Sequence, residues 1–269
     1  MNKVARILIA LTACTVFLIL NACTMQQVST TQFLDNQVIA HRGAWKTGQL
    51  PQNSIASLHE AIRLGCAGAE FDVSLTKDDV LVVNHDPDFL GIDIATSTYQ
   101  ELLAKKLLNG ESIPTARDYL IEGMKQKKTK LIFELKTSLL GTERTLYSAD
   151  LAVALVKELG AEEWVEYILF DYDAAKRVIE LDPEAKVWYL KGDVAPHQAK
   201  ADGFYGLDYH FTVFRDEQPT WLQEAKELGL AVNAWTVNSQ EEMIRLLDQK
   251  AEFITTNEPE LLFEVLAEH

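Results

Sequence analysis

Glu70 and Asp72 stand two residues apart inside the apolar run Ala69–Leu75. On a strand, residues i and i+2 share a face, so both carboxylates look one way while Phe71, Val73 and Leu75 look the other. That face is the wet side of an antiparallel sheet, or it belongs to a barrel. Unpaired carboxylates are costly there, and a divalent cation removes the cost, since Mg²⁺ and Ca²⁺ prefer such oxygen ligands. Leu131-Ile132-Phe133-Glu134-Leu135-Lys136 repeats the spacing with opposite charges. Glu134 could complete a metal site and Lys136 could neutralise a phosphoryl oxygen, or the two are an exposed pair on an amphipathic strand.

Two histidines end apolar runs. In Ile39-Ala40-His41-Arg42-Gly43 the glycine permits a tight turn and Arg42 can grip a phosphate with two parallel hydrogen bonds. Val82-Val83-Asn84-His85-Asp86 brings the second histidine out of a strand. A lone histidine is structural more often than catalytic, whereas one beside an arginine at a strand end suits proton transfer. Trp235, in Ala234-Trp235-Thr236, is an amphipathic aromatic that by itself reads as core.

These residues need strands to carry them, and the chain supplies nine candidates: Val38–His41, Ala69–Leu75, Val80–Asn84, Leu131–Lys136, Tyr167–Phe170, Lys186–Leu190, Gly203–Asp208, Ala231–Val237 and Phe253–Thr256. Amphipathic helices are expected over Ser54–Leu64, Thr115–Lys125, Ser148–Leu159, Tyr172–Leu181, Thr220–Leu228 and Ser239–Asp248. Ser54 and Ser239 are plausible N-caps, and Glu242 would complete a capping box with Ser239. Alternation of this kind predicts βαβ units in a parallel sheet. Only Thr76-Lys77-Asp78-Asp79 separates the second and third runs, too little for a parallel crossover. Those two must form a hairpin, leaving eight parallel strands. The prediction is a (β/α)₈ barrel with an added hairpin element, its site at the C-terminal strand ends. A doubly wound open sheet is the second choice, but no Gly-x-Gly-x-x-Gly follows the first strand.

The chain has 269 residues, 48% of them hydrophobic and 24% charged, which is the make-up of one core-forming barrel domain. Its start is different. Lys3 and Arg6 precede an apolar run from Ile7 to Leu20, too short to span a bilayer comfortably and typical of a secretory signal. Leu20-Asn21-Ala22-Cys23 resembles a bacterial lipobox, with Asn21 where a small or hydroxyl residue is usual. Residues 1–22 are therefore expected to be removed, Cys23 to be lipidated, 23–36 to be a tether and 37–269 to be the barrel. The mature protein would be exported and membrane-anchored. Cys66 would be its one internal thiol, so no intramolecular disulfide is expected. Losing residues 1–22 removes two cations and takes the formal charge from −15 to −17. Such a surface repels nucleic acid.

His41-Arg42-Gly43, Pro51-Gln52-Asn53-Ser54, Glu70-Phe71-Asp72-Val73, Thr76-Lys77-Asp78, His85-Asp86, Ile113-Pro114-Thr115, Glu134-Leu135-Lys136 and Trp235-Thr236-Val237-Asn238 resemble, in order, the motifs of glycerophosphodiester phosphodiesterases. The match covers roughly residues 37 to 266. It implies a TIM barrel in which Glu70, Asp72 and Glu134 bind Mg²⁺ or Ca²⁺. It implies that His41 and His85 act as acid and base, and that Arg42 and Lys136 bind phosphate. Trp235 and Phe170 would line the pocket wall beside the alcohol group. The chain departs from the family pattern at Gln52, where Glu is usual, at Asp79, where the hairpin usually has Gly, and over Pro87–Asp93, where an Arg-Thr-containing loop is usual.

The expected reaction is metal-dependent hydrolysis of a glycerophosphodiester to glycerol phosphate and an alcohol, with water or a neighbouring substrate hydroxyl as nucleophile. Two rivals are a related enzyme that cleaves lysophospholipid or another diester, and a lipoprotein that only binds phosphodiester or metal.

Overall fold

The computed structural model describes residues 32–269, which form one compact unit. The expected signal segment, Cys23 and most of the expected tether lie outside the described residues. Among the described residues no helix is long and apolar enough to cross a membrane.

The main sheet has nine strands, and β1 (Val38–Ala40) pairs in parallel with both β2 (Gly68–Leu75) and β11 (Phe253–Thr256), so the sheet closes on itself. Between β2 and β11 run β6 (Lys130–Leu135), β7 (Val165–Leu169), β8 (Val187–Tyr189), β9 (Gly206–His210) and β10 (Ala231–Trp235), all parallel to their neighbours. The barrel is thus eight-stranded and parallel, as predicted. The ninth strand, β3 (Leu81–Val83), pairs antiparallel with β2 outside the ring, Val73 facing Val83. Its tight turn places Asp79 at φ 63°, a conformation that aspartate tolerates better than most residues. The Asn84 N–H donates to the Asp72 carbonyl oxygen at 2.9 Å, which aims the residue after it at the barrel mouth.

Two apolar layers hold the ring. Outside it, one continuous core joins the strands to the helices, of which α1 (Ile55–Leu64), α3 (Ala116–Gly123), α4 (Thr142–Leu159), α5 (Tyr172–Leu181), α7 (Trp221–Glu227) and α8 (Gln240–Asp248) occupy the expected places. Inside it, Ile39, Ile132, Ile168, Trp188, Leu190 and Ala231 fill the lower barrel. Trp188 Nε1 donates to Glu166 Oε2 at 3.0 Å, which fixes the largest of these rings across the floor.

Several details differ from the sequence reading. Short helices α2 (Tyr99–Leu102) and α6 (Pro196–Ala201) and the terminal α9 (Pro259–Glu268) are additional, as is a small hairpin of β4 (Asp88–Phe89) and β5 (Ile92–Asp93). Its turn is Leu90-Gly91, both at positive φ, as a two-residue hairpin turn requires. α4 starts six residues earlier than its apolar pattern, because its first turn is polar and solvated. β9 starts three residues later than expected, since Gly203, at φ 85°, still belongs to the turn closing α6. Ser239 does cap α8, accepting from the Glu242 N–H, but no reciprocal bond completes the capping box. The Glu242 carboxylate turns instead to Arg245 and Arg215.

The last residues of the expected tether belong to the barrel base. Leu34 N–H donates to the Lys128 carbonyl at 2.8 Å, and Asn36 Oδ1 accepts from Val38 and Ala67 N–H at 3.1 and 3.2 Å. Phe33 stands edge-on to Trp164, centroids 6.2 Å apart, under the Lys130 ammonium.

The floor tests the tightness of this packing. A Cβ on Gly206 would lie 2.4 Å from the Trp188 ring and 2.7 Å from the Ala231 carbonyl oxygen. Gly206→Ala is therefore expected to cost about 1–3 kcal/mol, measured as a lower urea midpoint at unchanged slope. An unchanged midpoint would show that the floor is loosely packed.

Candidate active site

Barrel closure sends alternate side chains inward, and at the C-terminal strand ends those side chains are polar. β1 ends at Ala40 and turns sharply, with Arg42 and Gly43 at φ 59° and 75°. A left-handed arginine is strained, and the turn holds because Arg42 N–H donates to Glu70 Oε2 at 2.7 Å and Gly43 N–H to the Glu70 carbonyl at 3.1 Å. A Cβ on Gly43 would sit 2.5 Å from Ser57 Oγ, so only glycine lets the turn rest on α1.

Parallel register places Asp72 of β2 directly beside Glu134 of β6. Glu70, Asp72 and Glu134 are all buried and each offers an oxygen within 4.8 Å of the others. Burial, then the charges of Asp72 and Glu134, push Glu70 well above the usual carboxylate range. Burial and Asp72 push Glu134 up to about 7. Burial pushes Asp72 up too, but Lys136, His85, a hydrogen bond from Asn53 and Arg42 together hold it below its ordinary value. Asn53, at φ 57°, clamps Asp72 twice, accepting from its N–H at 3.0 Å and donating to Oδ2 at 2.8 Å.

Lys136 Nζ bridges Asp72 Oδ1 at 3.0 Å and Glu134 Oε1 at 2.5 Å. Burial lowers its pKa, but the two carboxylates outweigh it and raise Lys136 to about 12. Arg42 Nη1 donates to Gln52 Oε1 at 2.7 Å, and its Nε, 3.6 Å from Asp72 Oδ2, is buried without a hydrogen bond.

The two histidines are held differently. His41 Nδ1 lies 2.8 Å from Asn257 Oδ1, which also accepts from Trp45 Nε1 at 3.3 Å. An indole only donates, so that amide atom is an acceptor and His41 carries its proton on Nδ1. Its Nε2, 3.9 Å from Glu70 Oε2, is left as the free nitrogen. Burial, then Arg42, lower His41 to about 4. His85, half-exposed after β3, places Nδ1 2.8 Å from the Asp86 carboxylate, which leaves its Nε2 free as well.

His41, Arg42, Glu70, His85, Glu134, Lys136, Phe170 and Trp235 line one cavity of about 260 Å³, with Asp72 immediately behind. Every proposed site residue among those described is therefore in one place. Phe170 and Trp235 meet edge to face at 5.5 Å and make the apolar wall. A groove of about 360 Å³ between β3, α3 and α4 is larger, but its charged lining residues, Asp79, Arg117 and Glu158, are not gathered around a buried centre.

Sequence reasoning missed Asn257 and Asp208 and assigned no role to Asn53. Asp208 lines the cavity, fully buried, and burial followed by the charge of Glu134 pushes its carboxyl up to about 8, with the neighbouring Asn233 amide opposing the rise. The signal existed: Asp208 and His210 repeat the i, i+2 spacing at a strand end.

The carboxylates fit a hard cation. Three acidic groups face two cations, and Glu70 Oε1 is buried without any hydrogen-bond partner, a group that metal ligation would satisfy.

The model of the glycerophosphoryl diester phosphodiesterase family matches residues 41–261. A glycerophosphodiester phosphodiesterase of Caldanaerobacter subterraneus subsp. tengcongensis is 31% identical over 85% of this chain and 97% of its own length. A crystal structure of a glycerophosphodiester phosphodiesterase from Parabacteroides distasonis is similar at 43% identity and a TM-score of 0.84, covering 88% of this chain and 98% of that one. A phosphodiesterase from Oleispira antarctica, in complex with the product sn-glycerol-3-phosphate, is similar at 25% identity and a TM-score of 0.73, covering 86% and 97%.

Because Glu134 and Glu70 are raised above their unfolded values, the metal-free protein binds extra protons on folding and loses stability as pH rises from about 4.5 through about 7. A bound cation displaces those protons. Adding Mg²⁺ or Ca²⁺ to chelator-treated protein is expected to raise the melting temperature strongly at pH 7.5 and much less at pH 5. A shift that is absent, or equal at both pH values, would remove these carboxylates from metal binding.

Proposed function

The chain belongs to the glycerophosphoryl diester phosphodiesterase family, and from that premise we propose how its residues divide the work of hydrolysing a glycerophosphodiester. The chain is a phosphodiesterase, and the family generally depends on a divalent metal. One observation carries the assignment: three carboxylates, two cations and two imidazoles with free Nε2 atoms converge on one cavity.

Glu70, Asp72 and Glu134 would hold the cation, Mg²⁺ or Ca²⁺. When bound, it withdraws charge from the phosphoryl oxygens and so lowers the barrier to attack. Arg42 and Lys136 share that task at the non-bridging oxygens. His41, neutral and donating through Nδ1 to a neutral amide, takes a proton at Nε2 from the attacking water. The new P–O bond forms, the ester P–O bond breaks, and the departing alkoxide takes a proton from His85 Nε2. Asp86 stabilises the imidazolium that gives it. Products are glycerol phosphate and the free alcohol. Phe170 and Trp235 support the apolar edge of the substrate.

His41→Ala and His85→Ala are each expected to lower kcat by about 10²–10⁴-fold with small changes in KM. His59, exposed on α1 beside Glu122, is the control and its removal is expected to be near neutral. A damaging His59→Ala with intact fold would mean that the chemistry has been misplaced.

Export and anchoring through Cys23 complete the proposal, supported by the charged, apolar and lipobox-like segments that precede it. Cys23→Ser is expected to release the protein into the soluble fraction with kcat unchanged. A mature wild-type chain without a lipid mass increment would make it an ordinary secreted enzyme.

A further inference from the structure

Below the Phe170–Trp235 wall lies a polar arc that the reaction above does not use. Asp208 on β9 pairs in register with Asn233 on β10, and Thr255 follows on β11. Asn233 Nδ2 donates to Thr255 Oγ1 at 2.8 Å, which commits that end of the amide to the next strand. Asp208 and Asn233 are 1% and 2% exposed, yet Oδ1 of each has no hydrogen-bond partner. Buried polar atoms are nearly always paired. Two acceptors left open on adjacent strands, one of them lining the reaction cavity, call for donors that arrive with a ligand.

The cavity restricts what that ligand part can be. Asp208 shares it with Glu134 and the aromatic wall, so a molecule whose phosphate lies at the carboxylate cluster can extend one arm to the floor. The floor is closed, with Trp235 Nε1 pinned to the Asp208 carbonyl oxygen at 2.8 Å. A closed end suits the arm that every substrate shares, while the varying alcohol faces the mouth. Two open acceptors, one on a carboxyl group and one on an uncharged amide, match the O–H donors of a polyol.

We propose that Asp208, with Asn233 beside it, reads the hydroxyl groups of the glycerol arm and sets the preference for a polyol ester over an alkyl ester of the same phosphate. This rests on reading the cavity as the phosphodiester site. Asp208 is then a specificity residue, distinct from the metal and proton-transfer groups.

The test compares glycerophosphocholine with propyl phosphocholine, which has the same leaving group and lacks the hydroxyls. Asp208→Ala is expected to lose about tenfold or more in kcat/KM on the glycerol ester, chiefly through KM, and little on the propyl ester. Asp208→Asn, isosteric with the carboxyl group, is expected to restore much of the difference. Equal loss on both esters, or loss on neither, overturns the proposal. Loss on glycerophosphocholine without loss on glycerophosphoglycerol also overturns it, in favour of a site for the choline cation. Calorimetric titration of glycerol 3-phosphate against propyl phosphate, in wild type and both variants, reads the same preference without turnover. Failure of hydrolysis and failure of hydroxyl recognition are thereby separate results.

Discussion

Three buried carboxyl groups gathered at one cavity set the terms for everything around them. Glu70, Asp72 and Glu134 repel one another across less than 5 Å, and burial strips them of the water that would screen the repulsion. The barrel answers with fixed charge and fixed hydrogen bonds. Lys136 is held between two of the three, Asn53 clamps Asp72, and the backbone of Arg42 adopts a left-handed conformation in order to donate to Glu70. The strained turn after β1 is thus a consequence of the acidic cluster, and it is also what brings His41 and Arg42 to the cavity. Without the Glu70 carboxylate the Arg42 N–H would lose its acceptor. The surplus charge that remains is what a cation neutralises.

The departures from the family pattern have local physical readings. Gln52 accepts from Arg42 as a neutral amide, where a glutamate would form a second ion pair beside that with Asp72. Asp79 takes a positive φ that glycine would take without strain, and Arg144 pairs with its carboxylate. The loop over Pro87–Asp93 folds into its own two-stranded hairpin, anchored where Asp88 Oδ1 accepts from Gly91 N–H at 2.7 Å.

Much of this was legible before the coordinates. The alternation of apolar runs, the four residues too few for a crossover, and the paired i, i+2 carboxylates are properties of period and length, which sequence displays directly. The ring that joins Asp72 to Glu134 needs register, and the i, i+2 faces supplied half of it. What stayed hidden was remote pairing. Asn257 is 216 residues from His41 and holds it by one amide oxygen, and nothing in its neighbourhood announces that. Asp208 ended the expected strand, which stopped two residues short of His210 and so hid the i, i+2 spacing that the two share. The base of the barrel was misjudged for another reason: Phe33 and Leu34 are two apolar residues in a polar stretch, too few to form a pattern.

Those two residues fix where the chain joins the barrel. Phe33 is pressed against Trp164 and Lys130, where strands β6 and β7 begin, so the chain enters the domain at the end of the barrel opposite the cavity. Anything fastened upstream pulls on the closed end. Were Cys23 the lipid anchor proposed above, only eight residues would separate it from Gln32. The catalytic mouth would then look outward, its back to the bilayer, like a bucket standing on its base. Diesters adrift in the surrounding fluid would then fall in directly, whereas a headgroup still embedded in the sheet beneath would be reached only if the whole barrel tipped over.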